Sequence, residues 1–368
     1  MPHAPRPLPD APCHILNIIN TFGVSFLLKN LIMKIPENMK AICLEKPGGS
    51  LVMRTVSVPT PKQGEVLVKM AAAPINPSDL ARIKSMSIEE DLLSFIPGIE
   101  GSGTVIAAGK GLVPRLWLGK RVACSSLYPS SGTWAEYMVT SASYCFPIPN
   151  AVSDEQGSML LVNPMTAVAF FDIILHDKHK AVINSAAAGA LGAMIRFLGN
   201  RYKIPVINVV KDERQAKMLL AEGAQYVLKL SDKAFADQLH LLSNELNATL
   251  AFDPISGSFT QQLLEALPYG GTVIVYGNLS VSDQGPSLRS LLLDNKKLQG
   301  FYLVNWMKDN GMLKTIRNLI RVRQLLKNDF KISIQNRFPL DKTQLAIDTY
   351  LNNMTGGKVL LIPDKGQV

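Results

Sequence analysis

From residue 181 onward, short apolar runs alternate with longer stretches in which apolar residues recur at helical spacing. The pattern predicts strands over 181–184, 205–210, 225–229, 249–253 and 271–276. Helices are predicted between them over 189–201, 212–222, 233–246 and 257–266. Regular strand–helix alternation means a parallel sheet with helices on both faces. The earlier part of the chain reads differently. Strand-like runs at 40–45, 51–58, 65–73, 104–108, 120–125 and 132–139 are broken by frequent Gly and Pro. That pattern predicts a compact β-rich domain. Asn76-Pro77-Ser78-Asp79 opens a short helix. Ser153 is placed to cap another, ahead of Glu155 and Gln156. Asn163-Pro164-Met165-Thr166 interrupts that stretch, and a second helix runs to about His176. After Gly300 come a basic helix over 307–328, a strand over 332–338, a helix over 341–353 and a strand over 358–362. These last strands resume the style of the first domain, so the alternating part is expected as an insertion within it.

The turn between the first two alternating strands is built of small residues: Ala187, Ala188, Gly189, Ala190, Leu191 and Gly192. Free N–H groups at a helix start, with the helix dipole behind them, form a site for a dinucleotide pyrophosphate. Side chains in the turn would hold the phosphate away from the backbone. Gly189 and Gly192 occupy the second and third places of the G-x-G-x-x-G pattern, and Ala187 the first. Close packing of the turn is the alternative reason for small residues. The next strand ends Val210-Lys211-Asp212-Glu213-Arg214. Lys211 and Arg214 can pair with a ribose 2′-phosphate, which favours NADPH. Asp212 would serve NADH as a ribose acid; its other role is to stabilise the first turn of the next helix.

The chain has 368 residues, enough for about two domains. Its residues are 47% hydrophobic and 18% charged, which permits a large core and excludes global disorder. The net charge of +9 comes from scattered residues, so nucleic acid is not implied, whereas phosphate-bearing ligands fit. Cys13, Cys43, Cys124 and Cys145 form no C-x-x-C pair and read as reduced thiols. No apolar run is long enough to span a membrane. Residues 1–38, with Pro2, Pro5, Pro7, Pro9 and Pro12, read as a loosely ordered N-terminal extension. A cytoplasmic location is expected, or a mitochondrial one should that extension act as a presequence.

Together the motifs INPSD (75–79), PGIEGSGTV (97–105), GTWAEYMV (132–139), VNPMTAV (162–168), AAAGALG (186–192), FDPISG (252–257), YGNLS (276–280) and GGKVLLI (356–362) resemble the medium-chain dehydrogenase/reductase superfamily. The similarity runs from about Met39 to Pro363 and is greatest to zinc-independent quinone reductases and 2-enoyl thioester reductases. The resemblance implies an α/β fold with a GroES-like catalytic domain (39–163 and 301–368) and a Rossmann domain (164–300). It implies NADPH-dependent hydride transfer to a small-molecule quinone, enone or 2-enoyl thioester, and a homodimer. Asn76 and Thr166 would stand at the hydride-transfer locus. Tyr276, Gly277 and Lys358 would join the cofactor contacts, and Phe301, Tyr302 and Trp306 the substrate pocket. Zinc-dependent relatives carry Cys where this chain has Asn76 and His where it has Ile99; Ile cannot bind metal, so no metal is expected.

One departure concerns the proton donor. The enoyl reductases place a Tyr where this chain has Ser87, a far weaker acid. Tyr128 and Tyr302 are the tyrosines that could substitute. The departure leaves a second class open: a nucleotide-binding protein with little turnover, such as a redox sensor or RNA-binding relative.

Overall fold

The computed structural model describes residues 35–45, 50–85, 95–126, 130–280, 285–287, 289–328 and 330–363. The expected extension therefore lies almost wholly outside the described residues, and so do Ser87 and Tyr128. All elements below belong to the unit Asn38–Val368.

The first part of the chain holds β1 (Asn38–Leu44), β2 (Leu51–Ser57), β3 (Glu65–Pro74), α1 (Pro77–Ser85), β4 (Glu100–Ala108), α2 (Leu112–Leu116), β5 (Arg121–Ser125), β6 (Tyr137–Ser141) and β7 (Cys145–Pro147). Helices α3 (Asp154–Ser158) and α4 (Asn163–His176) lead to the alternating part. That part runs β8 (Ala181–Asn184), α5 (Ala190–Tyr202), β9 (Val206–Val210), α6 (Glu213–Ala221), β10 (Tyr226–Lys229), α7 (Phe235–Glu245), β11 (Ala248–Asp253), α8 (Ser258–Ala266), β12 (Thr272–Val275), α9 (Arg289–Leu293) and β13 (Lys297–Gly300). The chain then forms α10 (Leu303–Asn328), β14 (Ile334–Pro339), α11 (Thr343–Asn352) and β15 (Lys358–Ile362).

Strands β10-β9-β8-β11-β12-β13 form one six-stranded sheet. Every pairing in it is parallel. Counted within the sheet this order is 3-2-1-4-5-6, the doubly wound nucleotide-binding topology, with its switch point between β8 and β11. A second sheet orders β14-β15-β3-β4-β5-β7, with β6 also paired to β3. Strands from both ends of the chain thus share one sheet, as the alternation followed by a return to the first style predicts.

Local chemistry explains most boundaries. Strand β8 (AVIN) is wholly buried, and helix α5 stops where Lys203 adopts a left-handed conformation, φ 56°. Ser153 caps α3 by accepting from the Gln156 N–H at 3.2 Å, as its sequence context predicts. Pro164 sits in the first turn of α4, where a missing N–H costs nothing, so the expected interruption is the helix start.

Three expectations need correction. The strand predicted over 132–139 begins only at Tyr137. Before it, the Thr133 and Trp134 amides donate to Gly98 and Pro97 carbonyls, and Gly132 lies against the 96–97 backbone with no room for a Cβ. Strand β12 does not close the parallel series, because β13 follows it. The four residues of β13 are exposed and polar in pattern, so no apolar periodicity marks them. Helix α10 starts four residues early and breaks at Gly311, φ 76°.

The largest apolar cluster joins the two sheets. It holds Phe170 and Phe171 of α4, Val182 of β8, Ile195 and Leu198 of α5, Val322 of α10 and Leu360 of β15. Phe170 stacks on Phe252 with ring centroids 4.0 Å apart.

Candidate active site

The expected residues gather in two groups, one in the turn after β8 at the switch point of the parallel sheet and one around Asn76. The first is the turn after β8. Gly189 is the N-cap of α5 with ordinary extended geometry (φ −77°, ψ 171°), and no side chain caps the helix. The N–H groups of the first turn, at Ala190, Leu191 and Gly192, thus lack an intrahelical partner. A Cβ on Gly189 would meet only the Ala186 carbonyl, at 3.3 Å, so the turn's outer wall is bare backbone. Gly192 has the opposite reason to be glycine: a Cβ there would lie 2.4 Å from the Ala187 oxygen. The turn is braced from below by Arg196, whose buried guanidinium donates to the Ala187 carbonyl and to Glu222. Burial lowers the Arg196 pKa, and Glu222 opposes the shift.

The Ala187 N–H donates to the Val209 carbonyl at 3.1 Å, and Ala187 and Ala188 pack on Val210. These contacts set the end of β9 beside the turn. Lys211 and Arg214 follow it, both exposed and without an ion pair among the described residues. Asp212 is occupied otherwise. It caps α6, accepting from the Gln215 N–H at 3.0 Å. Glu213 pairs with Lys229 at 2.7 Å. Uncapped amides and bare backbone suit a dinucleotide's pyrophosphate, with two exposed cations following in sequence.

The second group surrounds Asn76. Antiparallel pairing of β3 with β15 sets Leu360 opposite Pro74, which brings Lys358 against Asn76. The Asn76 Nδ2 donates to Glu100 Oε1 at 3.1 Å, and Lys358 Nζ donates to Asn76 Oδ1. Glu100 Oε2 accepts from the Leu161 and Val162 amides at 3.0 and 2.9 Å, at the start of α4. The helix dipole favours a carboxylate there. One turn on, Thr166 Oγ1 donates to the Val162 carbonyl at 2.8 Å. Asn76, Glu100 and Thr166 are therefore joined through the α4 start. Asp79 completes the group, accepting from the Asn76 and Ile99 amides, each at 2.8 Å. Burial pushes its pKa up from 3.8 to about 7, against the two amide bonds. Burial also raises Glu100 and lowers Lys358, each opposed by the other's charge.

The remaining expected residues scatter. Tyr276 and Phe301 both meet the Phe170 ring edge-on, with centroids 5.2 and 4.8 Å away. The backbone of Gly277 approaches Pro254 too closely for a side chain. Tyr302 is 64% exposed, and Trp306 is half-buried under Lys314, whose Nζ lies 5.1 Å from the ring centroid. Lys358, expected as a cofactor contact, is buried and bonded to Asn76. Sequence reasoning missed Glu100, Asp79 and Arg196 as site residues. The available signal was a carboxylate inside the Gly-rich strand start PGIEGSG, and another in INPSD, where water would not be expected to reach either. Among the described residues, no group of three His, Cys, Asp or Glu side chains could hold a metal ion. No helix of the described residues is long and apolar enough to cross a membrane.

Comparison with known proteins shows the family. Residues 62–150 match the alcohol dehydrogenase GroES-like domain, and residues 190–319 match the family described as zinc-binding dehydrogenase. A mitochondrial enoyl-[acyl-carrier-protein] reductase of Arabidopsis thaliana is 30% identical over 327 residues, spanning 86% of this chain and 85% of the relative. The solved structure of a Mesorhizobium loti protein assigned as an NADPH:quinone reductase is similar, with a TM-score of 0.82 at 29% identity. It covers 90% of this chain and 100% of its own. A Bacillus thuringiensis protein of the same assignment gives 0.79 at 27%, over 88% of this chain and 99% of its own. With its GroES-like and Rossmann parts and these relatives, the chain belongs to the medium-chain dehydrogenase/reductase superfamily of nicotinamide-dependent oxidoreductases.

Proposed function

We propose that this protein is an NADPH-dependent reductase of conjugated acceptors: quinones, enones or 2-enoyl thioesters. The observation that carries the reading is the uncapped, side-chain-free start of α5 at the switch point, with Lys211 and Arg214 exposed at the end of β9 and without an ion pair among the described residues. The names of the relatives, enoyl-[acyl-carrier-protein] reductase and NADPH:quinone reductase, support the acceptor class. When bound, NADPH supplies the hydride. The α5 amides would hold its pyrophosphate, and Lys211 and Arg214 its 2′-phosphate. The Asn76 carboxamide would hydrogen-bond the acceptor's carbonyl, and Thr166 would bound the same space from the α4 side. In this reading the nucleotide part is 164–300, and the catalytic part takes 39–163 with 301–368.

The reading needs no zinc. Asn76 and Ile99 replace thiolate and imidazole, and the Asn76 oxygen already accepts from the Lys358 ammonium. A dication placed there would face that charge at close range. We also propose a homodimer, because β13 ends the parallel sheet with an exposed edge. Light scattering on the purified protein would give twice the chain mass.

The test is NADPH oxidation against a panel of quinones, enones and enoyl thioesters, before and after chelation. Turnover on at least one acceptor, unchanged by chelator, is expected. NADPH binding with no turnover on any of them would overturn the reading and leave a nucleotide-binding protein.

A further inference from the structure

The Asn76 carboxamide has only one orientation open to it. Lys358 carries an ammonium, which donates and cannot accept, and it meets Oδ1. Glu100 is a carboxylate with one oxygen already accepting two backbone amides; its other oxygen meets Nδ2. Flipping the amide would turn NH2 toward the ammonium and the carbonyl toward the carboxylate, breaking both bonds. All three side chains are almost wholly excluded from water, so no solvent would repair the loss. The clamp also leaves one Nδ2 hydrogen outside the bond to Glu100.

We infer that Lys358 is a positioning residue: its ammonium, set against Glu100, fixes the Asn76 carboxamide so that an N–H remains to polarise the acceptor's carbonyl. The inference rests on the reading that Asn76 stands at the hydride-transfer locus. It departs from the expectation that Lys358 touches the cofactor. The arrangement puts an internal, covalently tethered cation beside the position at which zinc-dependent relatives would have a thiolate.

Two variants separate positioning from structural support. Lys358→Met leaves Glu100 without its cation, and an uncompensated buried charge lowers the melting temperature. Lys358→Met/Glu100→Gln removes both charges, and the melting temperature recovers. In both, the Asn76 oxygen has lost its donor. The expected result is a fall in kcat of about ten- to a hundredfold in both variants. The NADPH dissociation constant should stay within about twofold of wild type. The Asn76 side-chain amide resonances, identified by their loss in Asn76→Ser, should shift in both. A double variant with restored melting temperature and wild-type kcat would overturn the inference, as would parallel loss of NADPH affinity and kcat. If the wild-type protein reduces no acceptor, the resonances decide alone. Unmoved resonances in Lys358→Met sink the inference, whereas shifted ones uphold the clamp while the functional reading fails.

Discussion

Asp79 shows how far one side chain departs from its surface behaviour. Its carboxyl is buried, accepts two backbone amides and still titrates near 7, because desolvation outweighs the hydrogen bonds. The folded pKa lies above the ordinary 3.8, so between those values the folded chain binds a proton that the unfolded chain has lost. This contribution to stability is full below the lower value and disappears as pH rises through about 7. Wild-type stability measured against Asp79→Asn should therefore show an advantage near pH 5 that shrinks by about pH 8. A difference that grows with pH would contradict it. Lys211 and Arg214 carry the other prediction at this scale. Each charge-assisted bond to a phosphate contributes about 1.5–3 kcal/mol. Lys211→Glu/Arg214→Glu should raise the NADPH dissociation constant at least about tenfold and leave that of NADH within about threefold. Titration by nicotinamide fluorescence checks this; equal losses would refute the preference.

At the scale of elements, two glycines of one turn are glycine for different reasons. Gly189 is the N-cap of α5, with an ordinary φ and only the Ala186 carbonyl, 3.3 Å away, within reach of an added Cβ. Aspartate is among the preferred N-caps, so Gly189→Asp should preserve or raise the melting temperature. The same carboxylate would occupy the amides meant for the pyrophosphate, and NADPH affinity should collapse. Gly192 packs on the Ala187 carbonyl, and Gly192→Ala should cost about 1–3 kcal/mol by forcing the backbone apart. Thermal melts and NADPH titrations of the two variants should thus give opposite patterns. Helix α6 makes the related point about Asp212. Its sequence position allowed either a ribose acid or a first-turn carboxylate, and it caps the helix.

For the whole molecule, the decisive feature is the return of the chain to its first sheet. Strand β15 inserts between β14 and β3, and Val359, Leu360 and Leu361 are fully buried. A chain ending at residue 328 would leave β3 with an open edge and two apolar clusters unfilled. Such a truncation should be insoluble or lack cooperative melting, although the whole parallel sheet remains in it. A soluble truncation with a sharp transition would show that the parallel part folds independently of the returning strands.

The sequence by itself determined what short-range pattern encodes. Alternating periodicity defined β8 through β12, and small residues marked the turn at Ala187–Gly192. The resemblance of its motifs placed Asn76 and Thr166 near one another. It did not find β13, whose four exposed residues carry no apolar rhythm, nor the turn that delays β6. Above all, it gave no sign that Lys358 would meet Asn76 from 282 residues away. That contact depends on the register of β3 against β15, a pairing between distant strands that no local spacing records. Tertiary structure alone decided it, because burial and strand register together set the Lys358 ammonium, expected only among the cofactor contacts, against the Asn76 amide.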